Sequence, residues 1–325
     1  MSLLRRIGPG LLLLAALGGT ARAVGATTPL NPLIVAIALG AIAAATLGVP
    51  AWARPGVDRH KLILEVGIVL LGAQLTLGQL TSTGPSVVGL AVGVVALGVL
   101  FVELVGRWAG LEAKTRSLLA AGASVCGVSA IIAVAGSIDG DEADISYAAG
   151  TVLLFDAVTL VAFPAVGSLL GLPDRTFGIW AGLSLFSTGP TTAVGFAISE
   201  VAGQWATVTK LIRNTLIGVL AVAYAIYYSG GERRTGPSAV WNQFPKFLVG
   251  FLLVAVVVNL GTVDGSTRAV LGRISDWLFA FAFVGLGVEL NPRRLRSTGI
   301  RPLAVVLAQF LTVSLLALGA VRLLV

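Results

Sequence analysis

Long apolar runs separated by short charged stretches give this chain its pattern. Segments 7–26, 30–50, 61–80, 84–106, 117–137, 145–170, 176–199, 206–228, 245–262, 270–290 and 302–324 are dominated by small and aliphatic residues. Most have the ~20 residues that a helix needs to cross a bilayer. A spanning segment must be helical, because lipid offers no water to its backbone amides and carbonyls. The pattern predicts an all-α, polytopic membrane protein with about eleven transmembrane helices. The first run, in "MSLLRRIGPGLLLLAALGGTARA", also has the basic residues, apolar stretch and small Ala21 and Ala23 of a signal peptide. With so many later spans, it is read as a retained span.

Two runs are poor helices. "GASVCGVSAIIAVAG" (Gly122 to Gly136) carries three glycines, two serines and the chain's one cysteine, and "SLFSTGPTTAVG" (Ser184 to Gly195) has Gly-Pro at its centre. Glycine costs about 1 kcal/mol in a helix interior, and Pro190 has no amide hydrogen to donate. Such breaks are tolerated in a membrane where they face protein or a wet cavity. A half-helix starting there presents unpaired N–H groups and partial positive charge, which suits an anion. The backbone at Cys126-Gly127 and Thr188-Gly189, with the hydroxyls of Ser124, Ser129, Ser187, Thr191 and Thr192, forms the candidate ligand set. The competing reading is that these small residues serve only close helix packing.

The chain also matches itself. Residues 67–84 align without gaps to 282–299, with Val69, Leu71, Gly72, Leu75, Leu80, Ser82, Thr83 and Gly84 identical at an offset of 215. The two copies fall seven spans apart and so run in opposite directions, the trace of an inverted-topology repeat. The interrupted segments match weakly at an offset of 60, through Gly122/Gly182, Ser124/Ser184, Ala133/Ala193 and Val134/Val194. Two spans apart, they should be parallel, which conflicts with the first repeat; either this second match is compositional or one segment does not fully cross.

Charge orients the spans. With the N-terminus inside, the inside segments hold Arg5, Arg6, Arg54, Arg59, Lys61, Arg107, Lys114, Arg116, Arg175, Arg233, Arg234, Lys246, Arg293, Arg294, Arg296 and Arg301, sixteen of the 22 basic residues. This is the positive-inside bias. It predicts a multi-pass membrane protein with a cytoplasmic N-terminus and the acidic turn "DGDEAD" (Asp139 to Asp144) outside. The tract "NPRRLRSTGIR" (Asn291 to Arg301) reads as an inside anchor for anionic lipid.

Four charged or polar positions within spans bear on chemistry. Lys210 and Arg213 in "ATVTKLIRNTLIG" share one helix face beside Asn214. They either snorkel to the outer interface or point inward as counter-charge for an anion. Asp156, mid-span in "TVLLFDAVTL", is the candidate for carrying a coupling proton.

Composition then removes other classes. One cysteine and one histidine, His60, leave no disulfide framework and little scope for a metal site. No cofactor and no metal are expected. No GxxxxGK[ST] phosphate loop is present, and no nucleophile–base set supports an enzyme. The net charge of +7 is accounted for by membrane orientation, so nucleic acid is not an expected partner. A small anion and membrane lipid are, and pairing of two copies of the chain is left open.

"EVGIVLLGAQLTLGQL", "GASVCGVSAIIAVAG", "TVLLFDAVTLVAFPAVG" and "ATVTKLIRNTLIG" resemble, in order and spacing, the YeiH-type family of proposed sulfate exporters, from about residue 30 to the C-terminus. That family looks distantly similar to the bile acid–sodium symporter and auxin carrier group, whose members use two crossed broken helices. The resemblance implies an inner-membrane transporter of sulfate or a sulfonate-like anion, and the chain is read as a secondary transporter working by alternating access. One transporter domain would cover residues 1–325, with a core around 61–228 holding the broken helices and a scaffold made from the other spans. The alternative is a sodium- or proton-coupled carrier with a cation site at the breaks. Where the family typically has a His-Asp-Thr-Ala-Gln run, this chain has "FSTGPT", so a titratable pair is missing.

Overall fold

The structure, a computed structural model, describes residues 3–28, 30–75, 77–229, 241, 244–261, 263–289 and 299–324. Its helices are α1 (Leu3–Thr27), α2 (Pro32–Thr46), α3 (Arg54–Val57), α4 (His60–Leu71), α5 (Leu77–Trp108), α6 (Ala113–Ala121), α7 (Val128–Ile138), α8 (Glu142–Leu169), α9 (Asp174–Ser184), α10 (Thr188–Ile198), α11 (Glu200–Asn214), α12 (Ile217–Tyr228), α13 (Lys246–Asn259), α14 (Gly265–Glu289) and α15 (Ile300–Leu324). No strand occurs among the described residues. Among the described residues, six stretches are long and apolar enough to cross a membrane: 6–27, 84–108, 142–169, 200–228, 265–289 and 300–324. The all-helical membrane class follows.

The chain divides into two compact units, Met1–Ser82 with Lys246–Arg293, and Thr83–Pro245 with Arg294–Val325. In the first unit the offset-215 match has a packing role. A Cβ on Gly72 would stand 2.5 Å from the Phe251 carbonyl of α13, and one on Gly287 would stand 2.0 Å from the Ile37 carbonyl of α2. Each copy's glycine thus admits the helix that precedes the other copy's glycine, a reciprocal arrangement. Leu295, Ser297 and Thr298 of the second copy, and Asn291 to Thr298 of the basic tract, lie outside the described residues.

The second unit contains both interrupted segments, and neither runs through. In the first, α6 continues as a π-turn over Gly122–Cys126, the chain turns at Gly127, and α7 follows. Lys114 Nζ at the start of α6 donates to the Asp139 carbonyl just past the end of α7 at 2.7 Å, while Gly122 lies against Ile131. The two legs are therefore antiparallel. In the second, Gly178 and Gly182 of α9 lie against Ala202/Trp205 and Ala206/Thr209, so α9 runs with α11. Gly195 lies against Gly203, Thr207 Oγ1 donates to Thr192 Oγ1 and Asn214 Nδ2 to Thr188 Oγ1, so α10 runs against α11. Each segment is a hairpin. An 11-residue leg spans about 16 Å, roughly half the hydrocarbon thickness.

This corrects the sequence reading, in which both segments cross. The two crossed broken helices implied by the distant resemblance are replaced by hairpins that turn back on themselves. The conflict between the two internal matches also disappears. The offset of 60 carries α7 (Val128–Ile138) onto α10 (Thr188–Ile198), so the repeated piece is a hairpin plus the long helix after it. With one crossing, α8, between them, the hairpins enter from opposite faces and are inverted copies. The turn Asp139 to Asp144 then shares a face with residues 109–112 instead of lying opposite. Only Arg175 changes side in the basic-residue tally.

Candidate functional site

The first hairpin is held at its base by side chains that the sequence reading left unassigned. Glu103 of α5 accepts from Arg116 Nε at 2.6 Å, Ser117 Oγ at 2.7 Å and Tyr224 Oη of α12 at 2.7 Å. The acidic turn is structural: Asp141 caps α8 by accepting from the Asp144 amide at 2.9 Å, and Asp144 accepts from Thr115 Oγ1.

At the other end the two tips meet. Gly127 has φ 69° and ψ −135°, a backbone conformation essentially reserved to glycine. A Cβ there would lie 2.1 Å from Ser187 Oγ of the second tip. The second tip, Leu185 to Ser187, is extended at Leu185 and Ser187 before α10 begins. Pro190 is not the break. It is the third residue of α10, in the first turn, where a missing amide hydrogen costs nothing.

Lys210 and Arg213 lie beneath the tips. Because Ser199 caps α11 through the Ala202 amide, the helix starts at residue 200, and both cations fall well past its first two turns. They are 0% and 1% exposed, so the snorkelling alternative does not apply. Lys210 Nζ donates to the carbonyls of Val125 and Leu185, both at 2.7 Å. Arg213 Nη1 donates to Gly182 (3.0 Å), Leu183 (2.7 Å) and Leu185 (2.9 Å), and Nη2 to Ser124 (2.6 Å). These are the carbonyls that a helix leaves unpaired at its C-terminus, here from both inbound legs. Cation against C-terminal dipole is the favourable sense. Glutamine at these two positions would therefore disturb folding as well as charge.

The outbound legs start at the same place with the opposite polarity. Asp156 of α8, 1% exposed, accepts from the Ser187 amide through Oδ1 at 3.2 Å, as a carboxylate does at a helix N-terminus. Phe155, Phe186 and Phe310 form a mutual cluster with centroids 5.7–6.3 Å apart. Each is the chain neighbour of a polar residue: Asp156, Ser187 and Gln309.

Of the expected ligands, Ser124, Cys126, Gly127, Ser187, Thr188, Lys210, Arg213, Asn214 and Asp156 converge here, with Gly189 in the first turn of α10. The other three candidates are placed differently. Thr191 Oγ1 donates back to the Ser187 carbonyl, and Thr192 accepts from Thr207 inside the α10–α11 contact. Ser129 is exposed on α7 and its side chain hydrogen-bonds Cys126 at the first tip. The sequence reading also missed Gln309, 1% exposed on α15. A lone amide inside "AVVLAQFLTVSL" was the available signal.

A family model described as "Conserved hypothetical protein 698" matches residues 9–306. The chain belongs to that family. Its curated relatives carry the family's UPF0324 designation. A "UPF0324 membrane protein" of Nitratidesulfovibrio vulgaris is 29% identical over 314 residues, covering 90% of this chain and 86% of the relative. One of Agrobacterium fabrum is 28% identical over 295 residues, covering 90% and 84%. The "UPF0324 membrane protein TauZ" of Paracoccus denitrificans is 28% identical over 277 residues, covering 82% of each. The UPF0324 membership agrees with the YeiH-type resemblance. No solved structure matches the chain.

Proposed function

We propose that this UPF0324 protein is a secondary transporter that carries a small anion across the inner membrane by alternating access. The observation behind this reading is the charge at the tip junction. Inbound and outbound half-helices bring partial charges of about 0.5 each and of opposite sign, which cancel. Two fully buried cations then face one buried carboxylate, leaving about one uncompensated positive charge in the membrane interior. Such a charge is costly, and a bound anion removes the cost. The alternative cation site is less favoured, because the freed carbonyls that would form it already accept from Lys210 and Arg213.

Through these two side chains both tips are tied to α11, so the hairpins would move as one body. The basic-residue bias supports a cytoplasmic N-terminus, which puts the mouth of the first hairpin inside and that of the second outside. Asp156 would serve as coupling group: protonating it releases the Ser187 amide and raises the local positive charge, both of which favour anion binding. Lys210, Arg213 and Cys126 are the ionisable neighbours of this position.

The test is flux of radiolabelled anions into proteoliposomes containing the purified chain. Uptake should rise as the pH on the uptake side falls, and Asp156→Asn should transport with that pH dependence removed. Absence of flux for every anion tried would overturn the reading.

A further inference from the structure

Besides its net charge, the tip junction has an imbalance of hydrogen-bonding groups. Ser124 Oγ, Arg213 Nε, Asn214 Oδ1 and Gln309 Oε1 are all buried and find no hydrogen-bond partner among the described residues. Burying an unpaired polar atom is unfavourable anywhere, and four on side chains at one mid-membrane junction point to a ligand that completes them. Their placement is linked. Arg213 Nη2 bonds the Ser124 carbonyl at 2.6 Å, and Asn214 reaches the second tip through Thr188. Gly98 of α5 brings in Gln309: a Cβ there would stand 2.6 Å from Ser124 Oγ and 2.9 Å from Gln309 Nε2. Only a bare Cα lets the serine and the carboxamide share that space.

The four atoms differ in what they need. Arg213 Nε–H is a donor and Ser124 can donate, which suits the oxygens of an anion. The carbonyl oxygens of Asn214 and Gln309 can only accept. An ion such as sulfate, which brings acceptors alone, leaves both unpaired and repels them. Resting on the anion-transport reading above, we infer that the transported anion carries its own O–H or N–H group, which the Gln309 and Asn214 carboxamides select. The ion's donor matches the unpaired amide oxygens whether Asp156 is ionised or carries the coupling proton.

Two pairs of ions of equal charge and similar shape test this: 2-hydroxyethanesulfonate against ethanesulfonate, and bicarbonate against nitrate. In each pair only the first carries a donor. With the wild-type chain in proteoliposomes, the donor-bearing member of at least one pair should be favoured in kcat/KM by about 10- to 100-fold, with sulfate below it. Gln309→Leu, which keeps the bulk and removes the acceptor, should reduce that preference to about 3-fold or less while the donor-free ion is still carried. Flux without preference in either pair, or a preference that survives both Gln309→Leu and Asn214→Leu, would overturn the inference and leave anion transport standing. No flux for any of the five ions would overturn both, so the two failures are told apart.

Discussion

Replacing Arg213 by glutamine should leave little folded protein in the membrane. The guanidinium holds four carbonyls, Ser124, Gly182, Leu183 and Leu185, from the inbound legs of both hairpins. Hydrogen bonds to a charged group contribute about 1.5–3 kcal/mol each, and a carboxamide can restore one or two of the four. The expected loss, roughly 4 kcal/mol or more, is comparable to the whole stability of an ordinary domain. Arg213→Lys keeps the charge but not the planar fork and should be intermediate. Size-exclusion chromatography of the detergent-solubilised protein with a thermal-melt readout checks this. A glutamine variant melting within about 2 °C of wild type would show that the cation does not hold the tips.

The second large effect is expected at the point where the tips touch. Gly127→Ala places a methyl 2.1 Å from Ser187 Oγ, on a residue whose φ is already +69°. Backbone strain of about 1–3 kcal/mol adds to an overpacking cost of similar size. Separating the tips is the way to relieve the clash, so anion flux should fall by at least an order of magnitude. Gly127→Ala with Ser187→Gly removes the clash but not the strain, and should recover part of the loss. Wild-type flux in Gly127→Ala would mean that the tips do not need this contact.

Much of this arrangement was legible in the sequence, for stated reasons. Apolar length gave the helical spans, and Gly, Ser and Pro in the wrong places marked both interruptions. The residues at the junction were named because hydroxyls, a cation pair and a mid-span carboxylate are expensive in lipid. Hydropathy could not show that the interrupted segments fold back, because two 11-residue apolar legs and one 22-residue span have the same composition. The offset of 60 between Gly122/Ser124 and Gly182/Ser184 held that information, and it is explained only once both segments return to their own face. Pro190 was misplaced because a proline in a first turn and one at a break look alike without the cap. Ser199 was the clue to the early start of α11, which puts Lys210 and Arg213 deep in the unit. Glu103 and Gln309 became visible through what they touch, three donors for one and the space beside Gly98 for the other.

The re-entrant hairpins can be tested by labelling. Cys126 is first replaced by alanine, and single cysteines are then introduced at Leu111, Gly140, Leu172 and Ser199. Each is probed in intact cells with a membrane-impermeant maleimide and again after permeabilisation. If the hairpins turn back, 111 and 140 react from one face and 172 and 199 from the other. Reaction of 111 and 140 from opposite faces, with 172 and 199 likewise split, would mean that both segments cross, and the junction described above could not form.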